Sequence, residues 1–183
     1  MKIFSTKRDK IMVLVILLVI IFFFGLKPYF KIDEQNVKAV EETKSLVLDW
    51  LSYNEGLTLA EEENKYILIN FYTDWCGYCK KMDKEAYSNE EVKSILNENF
   101  VIVKVNAESE NKVIENGEEI TERELAKLYQ VSGYPTTWFL ESNHSHIAPL
   151  PGYVTTEQFI PVLNYIGEGW YKSISFKEYI EKI

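Results

Sequence analysis

Cys76 and Cys79 are the only thiols in the chain, and they stand three positions apart within WCGYCK. At that spacing one cysteine can attack a disulfide and the other can displace the resulting mixed disulfide. A bridge closing so few residues would restrict the unfolded chain very little, which argues against a purely structural staple. The same spacing could supply half of a zinc site. There is no second such pair, however, and only His144 and His146 could complete a ligand set, so no metal is expected. With Ser142, Asn143 and Ser145 around them, those histidines read as solvated residues on or near a hairpin turn.

The pair needs a support that fixes its geometry. Tyr66 to Tyr72, YILINFY, is β-branched and aromatic enough for a buried strand, and it runs straight into the cysteines. Cys76 to about Tyr87 then suits a helix, with Cys79, Met82, Asp83 and Ala86 on one side. Cys76 would sit at the helix N-terminus, where unpaired amides and the macrodipole favour an anion, so it is the expected thiolate. Cys79, one turn along, is the expected resolving thiol. Asp83, four residues beyond, shares its face and is a candidate acceptor for its proton, with Asp74 as second choice. The alternative reading of Asp83 is a solvated acid paired among Lys80, Lys81 and Lys84.

Further elements follow in alternation. Ser88 with Glu91 reads as a capping box opening a helix, and FVIVKV from Phe100 to Val105 as a strand. Residues 106–120, polar and acidic, read as an exposed loop, so shortening 108–119 is expected to leave stability nearly unchanged. Thr121 with Glu124 opens a helix ending near Tyr129; Thr136 to Leu140 and Ser145 to Leu150 read as strands. Thr155 with Gln158 opens another helix, whose first turn Pro161 should make irregular, and Ser175 with Glu178 opens a last one. The last two strands lie too close in sequence to be anything but antiparallel, so the expected fold is α/β with a mixed central sheet flanked by helices.

The formal charge of −8 is spread over residues 33–182 without a basic stripe, which excludes nucleic acid as a partner. The first thirty residues differ. Lys2, Lys7, Arg8 and Lys10 precede an uncharged run from Ile11 to Leu26, and the cationic flank marks the end that stays in the cytoplasm. Sixteen helical residues span about 24 Å against a hydrocarbon core of roughly 30 Å, so length does not separate an anchor from a signal peptide. Phe22, Phe23, Phe24, Leu26 and Lys27 stand where a cleavage site would need small residues, and the segment is read as an uncleaved anchor. The expected organisation is a basic leader (1–10), a transmembrane helix (11–30), a tether and flanking helix (31–57) and the globular domain (58–183). The flanking helix is expected from Asn36, on Val37, Val40, Val47, Trp50 and Leu51, and a second short helix from Thr58 to Asn64.

The stretch NFYTDWCGYCKKM resembles the active-site segment of the thioredoxin superfamily, and VSGYPTTWFL, about sixty residues on, resembles its cis-proline segment. The resemblance covers roughly residues 58–170 and implies a thioredoxin-like fold. It is nearest to exported, membrane-anchored members that pass electrons to other exported proteins. It implies that Pro135 is the cis-proline facing the dithiol, that Tyr134, with Gly133 and Tyr78, lines the substrate groove, and that Trp75 shields the thiols, although a buried core tryptophan is the rival reading. No cofactor is implied beyond the Cys76–Cys79 disulfide. Implied partners are the thiols and disulfides of exported proteins and a membrane electron donor of the thiol-reductant conduit type, with the protein in the bacterial cytoplasmic membrane and its domain on the periplasmic side. Two departures stand out. Asn70 occupies the place of a buried aspartate, which leaves Lys104 without its usual carboxylate, and Gly77–Tyr78 lacks thioredoxin's proline. Reductase is the expected direction; an oxidant or isomerase, or a redox-inactive binding module, are the alternatives.

Overall fold

The computed structural model describes Ile16 and residues 47–183. Among them no helix is long and apolar enough to cross a membrane, and the segment 11–30 expected to do so lies outside the described residues, apart from Ile16.

The organising element is β1 (Tyr66–Tyr72), buried on both faces. It pairs in parallel with β2 (Phe100–Asn106) from Tyr66–Phe100 to Tyr72–Asn106, and antiparallel with β5 (Thr136–Leu140) from Ile67–Leu140 to Phe71–Thr136. β6 (His146–Pro151) adds antiparallel to β5, so the mixed sheet runs β2-β1-β5-β6. Side chains alternate across this sheet. Ile67, Ile69, Phe71, Val101, Val103 and Val105 pack on one side with α1 (Tyr53–Glu63) and α4 (Glu122–Leu128). Leu68, Ile102 and Phe139 pack on the other with α2 (Gly77–Glu85), α3 (Glu90–Asn99) and α5 (Thr156–Gly167). Burial on both faces explains why β1 reads as an unbroken apolar run. A 3₁₀ turn at Trp170–Lys172 and α6 (Phe176–Ile180) close the chain onto α5 through Tyr165, Phe176 and Tyr179.

Several expectations are corrected. Of the flanking helix from Asn36, residues 36–46 lie outside the described residues, and 47–51 are not helical. Leu51 instead bridges Val103 in parallel, donating to Ile102 O (3.0 Å) and accepting from Lys104 N (3.1 Å), which satisfies the outer edge of β2. The following helix begins at Tyr53, five residues before Thr58, with a Ser52–Glu55 capping box. It lies close to the sheet because Gly56 leaves room for Val103; a Cβ there would stand 2.2 Å from the valine methyl. Asn89, not Ser88, caps α3, accepting from Glu91 N and Val92 N, while Ser88 Oγ donates to Lys84 O one turn back. Pro161 lies inside a continuous α5, past the first turn, where it forgoes a single main-chain bond.

The acidic segment is also not an open loop. β3 (Lys112–Glu115) and β4 (Glu118–Thr121) form a hairpin turned at Asn116–Gly117, both with positive φ (52° and 81°). Asn-Gly is the pair that such tight hairpin turns favour. Val113 is buried in the core, and Asn54 of α1 both donates to and accepts from Ile114's backbone (2.7 and 2.8 Å). Tyr53 donates to Glu115 (2.6 Å) and also bonds the Tyr129 hydroxyl (2.9 Å). Replacing residues 112–120 with a short Gly-Ser link should therefore lower the melting temperature by about 4 °C or more. An unchanged thermal transition would show that the hairpin carries no stability.

Candidate active site

The C-terminal end of β1 delivers the cysteines. Residues 73–76 form a tight turn, with Cys76 N–H donating to Thr73 O (3.1 Å), and Cys76 is the N-cap of α2. Its sulfur accepts the Cys79 N–H (3.0 Å), so one of the otherwise orphaned amides of the helix start points at it. The two cysteines form a disulfide with Cα atoms 5.3 Å apart, and both are buried. This arrangement stabilises negative charge on Cys76 when the bond opens.

Because β5 runs antiparallel to β1, its N-terminal end lies beside the cysteine turn. The Tyr134–Pro135 peptide is cis. Pro135 is buried, its carbonyl accepts Gly152 N–H (2.8 Å), Tyr134 is half-buried and Gly133 is exposed, its carbonyl held by Thr136 Oγ1 (2.8 Å). Around the disulfide stands a rim of aromatic rings. Trp75 is 67% exposed, so it is no core residue; it meets Tyr134 edge-on at 6.2 Å and donates its indole N–H to Glu108 (2.9 Å). Tyr78 is also exposed and lies 6.0 Å from Tyr153, whose hydroxyl donates to Glu85 and whose ring carries the Lys81 ammonium at 4.6 Å. Burial and the Glu108 charge both push the Tyr134 phenol up.

Behind the cysteines, Asn70 and Lys104 are register partners and extend on the same side of the sheet, yet they bond elsewhere. Asn70 donates to the Tyr87 hydroxyl (2.8 Å), which also contacts Thr137 Oγ1 (3.3 Å). Burial pushes the Tyr87 phenol up to about 12, so this interior triad is uncharged at neutral pH. Lys104 reaches outward to both carboxylate oxygens of Asp83 (3.0 and 2.9 Å), with the Trp50 and Tyr72 rings each 5.1 Å from its ammonium. Asp83 is thus paired with a lysine of the neighbouring strand and not with Lys80, Lys81 or Lys84. Asp74, the second candidate, accepts from Asn106 Nδ2 (3.3 Å). His144 is half-buried and meets Leu57 O (3.3 Å), whereas His146 is exposed, as expected, with its ring tilted against Tyr129 and Trp138 (4.6 and 4.9 Å). Among the described residues no cluster of three or more metal-binding side chains forms.

Thr73, Glu85, Tyr87, Glu108 and Thr137 escaped the sequence reading. The register offered one signal: β1 and β2 are parallel and Tyr72 is level with Asn106, so whatever follows Asn106 must adjoin the cysteine turn.

The model of the thioredoxin-like domain family matches residues 53–167. The chain belongs to that family. It is 31% identical over 147 residues to protein disulfide isomerase-like 1-4 of Arabidopsis thaliana, covering 79% of this chain and 20% of the relative. It is 26% identical over 115 residues to the disulfide bond reductase DsbH of Chlamydia pneumoniae, covering 62% and 69%. The chain therefore spans about a fifth of the first relative's length. A thioredoxin-fold protein from Helicobacter pylori superposes with a TM-score of 0.57 at 27% identity, over 76% of this chain and 92% of that one. A thioredoxin-like domain carrying a closed Cys-x-x-Cys disulfide is equipped for thiol–disulfide oxidoreduction.

The buried triad is open to a direct check. Tyr87→Phe removes the hydroxyl that Asn70 and Thr137 share, leaving a buried amide unpaired at a cost of about 1–3 kcal/mol in urea denaturation. An unchanged stability would mean that Asn70 finds another partner.

Proposed function

We propose that this protein is a thiol–disulfide oxidoreductase that acts as a reductase on exported proteins, tethered to the bacterial cytoplasmic membrane through residues 11–30 with its domain on the periplasmic side. The observation carrying the chemistry is the Cys76–Cys79 disulfide at the start of α2, with an amide aimed at the Cys76 sulfur. The basic leader and the apolar run, which no small-residue cleavage site follows, support the tether, and likeness to a disulfide bond reductase supports the direction. A membrane thiol-reductant conduit would return the oxidised pair to the dithiol.

In the cycle, the Cys76 thiolate attacks one sulfur of a substrate disulfide and the substrate's other sulfur leaves as a thiolate. Cys79 then loses its proton and attacks the Cys76 sulfur, releasing the second substrate thiolate and closing the Cys76–Cys79 bond. The groove beside Pro135, formed by Gly133, Tyr134 and Tyr78, would receive an extended substrate segment, with Trp75 over the sulfurs. Asp83, one turn beyond Cys79, would take the proton, directly or through water, with Lys104 compensating its charge between turnovers.

Full-length protein in detergent should reduce insulin with dithiothreitol as electron source and equilibrate with glutathione. No activity above background would favour a redox-inactive binding module, and an oxidising equilibrium an oxidant or isomerase. Cys79→Ser should accumulate mixed disulfides on Cys76, whereas Cys76→Ser should abolish exchange; equal trapping by both would reverse the assignment. Asp83→Asn should slow resolution several-fold near neutral pH, spare the initial attack, and recover as pH rises and Cys79 ionises unaided. An unchanged resolution rate in a folded variant would assign the proton to solvent.

A further inference from the structure

Thr73 sits under the cysteine turn and is only 1% exposed. Its carbonyl accepts the Cys76 N–H, so the two residues belong to one turn. Continuing the β1–β5 register two steps past Phe71–Thr136 brings it level with Tyr134. Thr73 and Cys76 are thus the two ends of one four-residue turn, and the Thr73 hydroxyl is buried at its start. Among the described residues Thr73 Oγ1 is the one buried side-chain polar atom without a hydrogen-bond partner. Other buried hydroxyls nearby are engaged: Thr136 donates to Gly133 O and Thr137 meets Tyr87. A desolvated hydroxyl left unpaired in the turn that ends at Cys76 calls for an explanation in the chemistry of the site.

The structure holds the oxidised pair. A disulfide sulfur is a weak acceptor, whereas a thiolate accepts charge-assisted hydrogen bonds. We propose that Thr73 Oγ–H is the donor to the Cys76 thiolate, a bond made only after the disulfide opens, so that Thr73 biases the couple toward its dithiol form. When two glutathione thiols reduce the pair, the first attacks the Cys79–Cys76 bond and the second releases Cys76 from the mixed disulfide. The products are oxidised glutathione and two protein sulfurs, with Cys79 protonated, Cys76 an anion facing Thr73 and the second thiol proton released to water. Thr73 donates its hydrogen bond without giving up its proton, and no further reactant is required. The inference rests on the reading that Cys76 and Cys79 are the exchanging couple.

The test is the equilibrium of the full-length protein, purified in detergent, across glutathione buffers. The fraction oxidised is read by thiol alkylation, which is unambiguous because the chain has two cysteines. Thr73→Val keeps the shape and removes the donor; it should move the equilibrium constant about tenfold toward the disulfide, a potential about 30 mV lower. Thr73→Ser should stay within about twofold of wild type. Thermal unfolding supplies a second readout: oxidised Thr73→Val should melt at or above oxidised wild type, while the reduced variant melts below reduced wild type, a split that a packing role shared by both states would not give. Thr73→Ala should repeat the shift and keeps the test decisive if valine does not fit. A wild-type constant in both variants, a shift toward the dithiol, or equal melting changes in both states would overturn the role of Thr73. Failure of wild type itself to titrate would overturn the exchange reading instead.

Discussion

The antiparallel pairing of β5 with β1 is the constraint on which the site depends. β1 is fixed by burial on both faces and by hydrogen bonds to β2 and β5 along its length. Its last residues therefore have little freedom, and the turn holding Cys76 inherits that rigidity. Antiparallel β5 must begin where β1 ends, so Tyr134 and Pro135 arrive beside the disulfide from about sixty residues away in sequence. Parallel β2 must end there too, which brings Glu108 to Trp75. Three segments meet at one end of the sheet because of strand direction alone; side-chain contacts refine the meeting but do not create it.

Polar groups near the cysteines are managed in two ways. On the face covered by α2, α3 and α5 the interior holds the neutral chain Asn70–Tyr87–Thr137, whose members satisfy one another without burying a charge. The charges of the same neighbourhood, Lys104 and Asp83, lie toward the surface, where water still reaches them and aromatic rings flank the ammonium. An amide at position 70 thus goes with a changed partner for Lys104: the lysine leaves its register neighbour and binds a carboxylate on α2.

The sheet and its flanking helices were legible because β1, β2 and β5 carry dense apolar runs and because the Thr121, Thr155 and Ser175 capping boxes mark helix starts. What escaped reading was set by competition or by distance. Asn89 competes with Ser88 for one helix start, and nothing local decides between them. Leu51 looks helical by spacing, but an unpaired edge of β2 claims it. The segment around Asn116–Gly117 reads as a loop because its residues are mostly polar and acidic, but Val113 and Ile120 pair across the hairpin and face inward, a contact set by tertiary packing. The Asp83–Lys104 and Trp75–Glu108 pairs join residues 21 and 33 apart, and only the strand register brings them together.

That register also bears on how an acidic chain can favour negative charge at one cysteine sulfur. Carboxylates surround the cysteine turn at Asp74, Asp83, Glu85 and Glu108, and unopposed they would disfavour a thiolate. Each is engaged: Asp74 by Asn106, Asp83 by Lys104, Glu85 by Tyr153 and Glu108 by the Trp75 indole. Their lone pairs point at donors on the rim, while the Cys79 amide points at the Cys76 sulfur. Charge on that sulfur is therefore answered by dipoles at bonding distance, whereas the rim acids act through a solvent-exposed boundary where screening is strong. Short-range, oriented groups dominate longer-range, hydrated ones, so the local field at Cys76 is set by the helix start and its turn and not by the net charge of the protein.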